Sequence, residues 1–268
     1  MEKKYKLGVV GAGFMSTAIV KGAINSAILK NTDIIVSDIN ENSLAKIKEL
    51  GVDVTKDNFL LCNQAEFVLF AIKPQNLSDV LDGIKNCSCC KFISIMAGIK
   101  KDRIKSFFPN CFVARCMPNT PCSVGKGAVG IDSTDFVNKD DVLFIESLFN
   151  SFARVVMLSE AKMNAVTGVG GSSPAYFYLF LKGIIEAGVK QGLTEQEARL
   201  LATSTMIGAG EMVLTNANKS IDELIQAVCS KGGTTIEAVK VYNEYNLTAI
   251  TEKAVGACVK RSFELENL

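Results

Sequence analysis

The chain contains no histidine. That absence removes Ser-His-Asp hydrolysis and any imidazole general acid, and it denies a zinc site one of its usual ligands. A proton donor, where one is needed, must be Thr, Ser, Tyr, Lys, Cys, a carboxyl group or water. An excess of charge is missing too: 29 Lys and Arg stand against 28 Asp and Glu. No broad basic field is left to hold nucleic acid or an anionic membrane, so an anionic ligand must be held locally, by backbone amides or a few side chains. No apolar run approaches about 18 residues, and no membrane span is expected. The charged start Met1-Glu2-Lys3-Lys4-Tyr5-Lys6 lacks the apolar core and cleavage site of a secretory signal. A soluble, cytoplasmic protein is expected.

What is present fits a globular chain with a real core: 268 residues, 48% hydrophobic and 21% charged, enough for one large domain or two ordinary ones. Of nine cysteines only Cys87, Cys89 and Cys90 cluster. No second ligand pair accompanies them, so no metal is expected, and the cysteines read as thiols in a reducing compartment.

Short apolar runs at Leu7–Val10, Ile34–Val36, Phe67–Ile72, Phe92–Met96 and Phe112–Cys116 alternate with stretches of helical spacing, among them Thr17–Ala27 and Asn40–Leu50. This pattern predicts an α/β fold with a parallel sheet and right-handed crossovers. The character changes after about Ser159. Helix starts recur there: Ser173-Pro174 reads as a cap before a first-turn proline, and Thr194 with Glu197, Ser220 with Glu223 and Thr234 with Glu237 read as capping boxes. Two domains are predicted, residues 1–159 with the sheet and residues 160–268 all-helical. The helix from Ala175 to Gly192 is apolar nearly all round, and so small a domain can hardly bury it alone. A second subunit is expected to cover part of it; packing against the sheet domain is the competing reading.

Gly11-x-Gly13-x-x-Ser16 lies between the first strand and the first helix. Gly11 allows a tight turn, Gly13 a close approach of backbone to pyrophosphate, and Ser16 is small enough to stand for the third glycine. The helix N-terminus offers free N–H groups and positive dipole. Dinucleotide binding is expected, the alternative being a structural turn. Asp38 ends the second strand beside Ser37. An acid there accepts ribose hydroxyls and repels a 2′-phosphate, which favours NADH over NADPH, although Ser37 and Asn40 are able to meet a phosphate. Strand ends at Ala71–Pro74, Met96–Gly98 and Met117–Pro121 belong on one sheet edge, which places Lys73, Pro74, Ala97, Pro118 and Asn119 near the nicotinamide.

In the second half, Ser230-Lys231-Gly232-Gly233-Thr234-Thr235 lies between two helical stretches. Two glycines remove bulk, and a helix opens with exposed N–H groups and hydroxyls on both sides. This composition suits a small carboxylate.

Together these segments resemble the pyrroline-5-carboxylate reductase family over essentially the whole chain. The resemblance is carried by Gly11-Ala12-Gly13-Phe14-Met15, Ala71-Ile72-Lys73-Pro74, Arg115-Cys116-Met117-Pro118-Asn119-Thr120-Pro121, Gly170-Gly171-Ser172-Ser173-Pro174-Ala175-Tyr176 and Ser230-Lys231-Gly232-Gly233-Thr234-Thr235-Ile236-Glu237-Ala238. It implies a Rossmann-type domain followed by a helical dimerisation domain. It also implies reduction of 1-pyrroline-5-carboxylate to L-proline by NADPH or NADH, the last step of proline biosynthesis, in homodimers that often assemble into decamers. Family cofactor positions fall on Gly13, Phe14, Met15, Asn58, Ala71, Lys73, Pro74 and Ala97. Substrate positions fall on Ser230, Gly232, Gly233, Thr234 and Thr235. With no histidine available, Thr235 is the candidate to donate a proton to, or orient, the imine nitrogen. Lys231 stands where the family usually has proline; it loosens the loop and is expected to face solvent. Two other readings compete with this one. A β-hydroxyacid dehydrogenase would want a catalytic lysine on the helix after Ser172-Ser173-Pro174, and none comes before Lys182. A non-catalytic nucleotide sensor would have no use for the Gly232–Thr235 turn.

Overall fold

The computed structural model describes residues 3–266; Met1 and Glu2 of the charged start, and the last two positions of the helical half, lie outside the described residues. The chain divides into two compact units: residues 3–174 with 257–266, and residues 175–256.

In the first unit the elements run β1 (Tyr5–Val10), α1 (Phe14–Asn25), β2 (Ile34–Ser37), α2 (Glu41–Lys48), β3 (Asp53–Thr55), α3 (Asn58–Gln64), β4 (Ala65–Phe70), α4 (Leu77–Ile84), β5 (Lys91–Ser94), α5 (Lys101–Lys105), β6 (Phe112–Pro118), β7 (Gly127–Asp132), α6 (Lys139–Asn150), β8 (Ala153–Met157) and α7 (Met163–Val166). The eight strands form one sheet in the order β3-β2-β1-β4-β5-β6-β7-β8. All neighbours pair in parallel except β6 and β7, which are antiparallel. The five expected strands are all present. Three more, β3, β7 and β8, were not foreseen, and the antiparallel pair qualifies the purely parallel sheet expected from sequence.

Both sheet faces are covered, which is why β1 and β4 read as continuous apolar runs. Alternation persists in space: Phe67 and Leu69 enter one core with Ile19, Ala23, Ile145 and Phe149, while Val68 and Phe70 enter the other with Leu61, Leu77, Leu81 and Ile84. Each fully buried side chain of this size contributes about 1.5–3 kcal/mol. The chain's last helix returns to this unit. Ser262 Oγ donates to Asn164 Oδ1 at 2.6 Å, and Arg115 Nη1 bonds Glu266 at 3.0 Å and Glu160 at 3.3 Å.

The second unit holds α8 from residue 175 (Ser173–Lys190), α9 (Glu195–Thr215), α10 (Ile221–Val228), α11 (Thr234–Glu244) and the start of α12 (Leu247–Leu265). Two capping boxes form as expected, Thr194 with Glu197 and Ser220 with Glu223. The third does not: Gly233 is the cap of α11, and Glu237 pairs with Lys240 at 2.7 Å. Glycine is itself an acceptable cap residue, and it displaces Thr234 into the first turn. Ser173 likewise lies inside α8, not before it, because a π-helical turn over Thr167–Gly171 runs almost directly into that helix.

Candidate active site

The order of the sheet reverses between β1 and β4, whose carboxyl ends carry the glycine turn and Ala71. A ligand crevice is expected outside the strands at such a point. Gly11 N donates to Ser37 O at 2.7 Å, and Ala71 N to Val10 O at 2.9 Å. Gly11 has φ +102°, and a Cβ there would lie 2.6 Å from Ala71 O, so only glycine fits. Gly13 is the reverse case: a Cβ there would meet nothing within 4 Å, so the space before it is open. Gly13 caps α1 with no side-chain hydrogen bond, and the first turn carries no acid. The 12-residue helix therefore presents unsatisfied N–H groups and its positive end to that space. These features suit a pyrophosphate. Ser16 is buried, as the third small position demands, and its hydroxyl has no hydrogen-bond partner among the described residues.

A cleft of about 1190 Å³ opens there, lined by Gly11, Gly13, Ser37, Asp38, Asn58, Ala71 and Lys73 among the residues singled out from sequence. Ser37 Oγ donates to Asn58 Oδ1 at 2.6 Å, which ties β2 to the start of α3. Asp38 accepts from Ala12 N at 2.7 Å and from Asn40 N at 2.8 Å. Its carboxylate thus braces the glycine turn while keeping its charge at the cleft. Asn40 caps α2, accepting from Ser43 N at 3.1 Å. Ser43, Thr55, Lys56 and Asn76 also line the cleft and were not singled out from sequence. Lys56 follows β3, a three-residue strand with no apolar run to announce it. It donates to Glu41, and that hydrogen bond holds the Glu41 carboxyl below its ordinary value.

Phe14, Met15, Pro74, Ala97, Pro118 and Asn119 do not line this cleft. Phe14 is 63% exposed and Met15 packs on the core. Pro74 is exposed and Ala97 half-buried. Pro118 is buried at the end of β6. Asn119 is buried and its side chain is engaged: Nδ2 donates to Gly170 O at 3.0 Å, and Oδ1 accepts from Ala128 N at 3.0 Å. Arg115, at the head of the same motif, is committed to the buried ion pairs with Glu160 and Glu266.

In the helical unit, Ser230–Thr235 forms a tight turn closed by Gly233 N donating to Ser230 O at 3.0 Å. Gly232 has φ +74°, a left-handed conformation that favours glycine. A Cβ on Gly233 would fall 2.3 Å from Ser230 Oγ. The 11-residue helix α11 begins with no side-chain cap, so its first N–H groups are free to meet an anion. Ser230, Lys231, Gly232, Thr234 and Thr235 are exposed and Gly233 is half-buried. The turn is therefore an open cradle, and Lys231 does not close it.

Residues 160–265 match the model of the pyrroline-5-carboxylate reductase dimerisation family, and residues 6–98 match the NADP oxidoreductase, coenzyme F420-dependent family. The chain is 35% identical to pyrroline-5-carboxylate reductase of Haemophilus influenzae over 98% of each chain. It is 32% identical to that of Pisum sativum, covering 99% of this chain and 97% of the other. Among solved structures it is similar to pyrroline-5-carboxylate reductase from Coxiella burnetii, with TM-score 0.91, 32% identity and coverage of 98% and 99%. It is also similar to the Plasmodium falciparum pyrroline carboxylate reductase with NADP bound, with TM-score 0.88, 28% identity and coverage of 99% and 100%. With both turns in place and the likeness running from end to end, the chain belongs to the pyrroline-5-carboxylate reductase family.

Proposed function

We propose that this chain reduces 1-pyrroline-5-carboxylate to L-proline with a nicotinamide dinucleotide, the closing step of proline biosynthesis. The observation that carries the reading is a pair of uncapped helix N-termini behind glycine turns, one in each unit: Gly13 before α1 and Gly233 before α11. The first suits a dinucleotide pyrophosphate, the second a small carboxylate.

A reduced nicotinamide, when bound, supplies the hydride. Gly13 and the first turn of α1 would hold the pyrophosphate. Ser37, Asp38, Asn58, Ala71 and Lys73 would surround the remainder of the dinucleotide, with Phe14, Met15, Pro74 and Ala97 as further contacts from the family pattern and Pro118 and Asn119 from their place at a strand end. Ser230, Gly232, Gly233 and Thr234 would grip the substrate carboxylate and so orient the ring; hydride transfer itself needs donor and acceptor carbons about 3–3.5 Å apart. Thr235 hydrogen-bonds the imine nitrogen, and the proton that completes the amine passes through it or comes from water. Replacing it, Thr235→Ala, is expected to lower kcat by at least about tenfold; an unchanged kcat would assign the proton to water or to an imine already protonated.

We infer a preference for NADH. The Asp38 carboxylate keeps a negative charge at the end of β2, where a 2′-phosphate would arrive; Lys56 on the same wall is already paired with Glu41. The working unit is a homodimer, able to assemble further, with residues 1–159 as the dinucleotide domain and 160–268 as the substrate and dimerisation domain. Near-neutral charge leaves no broad basic field for a nucleic-acid partner, and nine free thiols suit a reducing compartment such as the cytoplasm.

The decisive assay follows NADH and NADPH absorbance on addition of pyrroline-5-carboxylate, with a hydroxyacid and oxidised cofactor as control. Oxidation of either cofactor with proline as product supports the reading. Turnover of the hydroxyacid alone would overturn it.

A further inference from the structure

Eight of the nine cysteines lie in the first unit; four of these, Cys62, Cys87, Cys89 and Cys90, form one group, and none of the four lines the dinucleotide cleft. Cys62 is fully buried in α3, and Cys87 is half-buried just after α4. Nearby, Cys89 is buried and Cys90 exposed. The segments carrying Cys62 and Cys87 are laced together. Lys3 Nζ donates to the carbonyls of Cys62 and Asn63 at 3.3 and 2.9 Å and to Ser88 Oγ at 2.8 Å. Ser88 N donates to Asn63 Oδ1 at 2.9 Å. Held in this way, the Cys62 thiol comes within reach of the Cys87 sulfur, while the Cys87 thiol donates to Cys89 O at 3.9 Å. Cys89 is engaged elsewhere, its thiol donating to the carbonyls of Lys91 and Glu66 at 3.5 and 3.6 Å.

The hydrogen bond from Cys62 draws the Cys87 thiol below its ordinary value, against burial, and the Cys89 backbone and the Lys3 ammonium act in the same direction. The same hydrogen bond and burial push Cys62 up. The pair therefore combines a partly accessible sulfur with thiolate character and a buried thiol already in contact with it. That is the arrangement of an attacking and a resolving cysteine. Among the described residues no three His, Cys, Asp or Glu side chains are grouped to hold a metal ion.

We propose that Cys87 and Cys62 are a peroxide-sensitive dithiol that closes reversibly to a disulfide. The Cys87 thiolate attacks one oxygen of a hydroperoxide. An S–O bond forms, the O–O bond breaks, and the departing oxygen leaves as water or an alcohol with the proton that Cys87 gave up. Cys62 then attacks the Cys87 sulfur. The S–S bond forms, the S–O bond breaks, and the hydroxyl leaves as water with the Cys62 proton. Two thiols lose two electrons and two protons to the peroxide. The bond would tie α3, whose first residue Asn58 meets Ser37 in the cleft, to the end of α4, whose Asp79, Val80 and Gly83 line the same cleft.

The test treats the full-length protein with about one molar equivalent of hydrogen peroxide, blocks remaining thiols by alkylation and maps unreduced peptides. A peptide pair joined through Cys62 and Cys87, dominant among the products and lost on reduction, is expected. Cys87→Ser should remove it and slow the first thiol's loss by roughly tenfold. In Cys62→Ala, Cys87 should stop as a sulfenic acid that a dimedone-type probe captures. Because the main readout is on the unaltered protein, misfolding of a variant does not decide the matter. Exposed Cys90 oxidised ahead of Cys87 with no Cys62–Cys87 link, or a Cys87→Ser rate equal to the unaltered protein's, would overturn the proposal. Both readouts are independent of reductase activity.

Discussion

The two units differ most in what they hide. The sheet unit buries Leu7, Phe67, Phe70, Phe92, Phe149 and many others completely, in two cores on either side of eight strands. In residues 175–256 only Ala198 is buried. Leu179 is 73% exposed, with Phe177, Tyr178, Leu200 and Ile207 all above half. A segment with so little core cannot offset the conformational entropy of its own helices, and so wide an apolar surface is the mark of a face that is covered in use. One half of the chain is thus stable by its own packing, whereas the other is completed by association. The dimerisation family match over residues 160–265 agrees with a homo-oligomer.

Breaking the association should have the largest effect. Phe177→Asp together with Leu179→Asp places charges where apolar contact is expected, at a cost of several kcal/mol. Light scattering should then report a 28.8 kDa monomer, and activity should fall by about a hundredfold or more, the loss that a cost of that size implies. Dinucleotide binding should survive in the sheet unit. An unaltered mass would place the apolar face of α8 against something other than a second copy.

Next is the sheet unit's own core. Phe67→Ala should cost about 3–5 kcal/mol and lower the melting temperature of that unit without changing the assembly of the helical unit at low temperature. A smaller shift follows Asp38→Asn, which keeps an acceptor for Ala12 N and removes the charge. The ratio of NADPH to NADH efficiency should rise by about tenfold, equivalent to roughly 1.4 kcal/mol. A ratio that does not move would show that the Asp38 charge does not set the preference.

The smallest effect concerns acid. Burial works to raise Asp132 and Asp135, but it is outweighed, for Asp132 by hydrogen bonds from Thr134 and the charge of Lys101, and for Asp135 by Lys105 and Lys101. Both carboxyls lie below the ordinary value of 3.8. A group depressed in the folded state contributes stability above its unfolded value and loses it as pH falls through the folded one. Denaturation monitored against pH should therefore show the sheet unit weakening from about pH 4 downward, with Asp132→Asn flattening that slope.

Which parts of the fold are legible in the sequence follows from the same contrast. Strands β1, β2, β4, β5 and β6 were legible because sheets covered on both faces need unbroken apolar runs. Strand β3 is three residues beginning with Asp53, β7 contains Gly127 and Gly130, and β8 is an edge strand with Arg154 in it; none has the run that local reading needs. The glycine turns were legible because Gly11 and Gly232 answer backbone demands within a few residues of themselves. Asn119 and Arg115 were opaque, since their partners Gly170, Ala128, Glu160 and Glu266 are set by tertiary folding. The Thr234–Glu237 spacing has the form of a capping box, but the geometry at Gly233 decided otherwise.

The division of labour between the two glycine turns has one direct test, the separate titration of dinucleotide and pyrroline-5-carboxylate in Gly232→Ala. A methyl group forced onto the left-handed turn at φ +74° should raise the KM for pyrroline-5-carboxylate by about tenfold, while the dinucleotide Kd stays within about twofold of the unaltered protein's. An unchanged substrate KM, or a dinucleotide affinity that falls in step with it, would contradict the account.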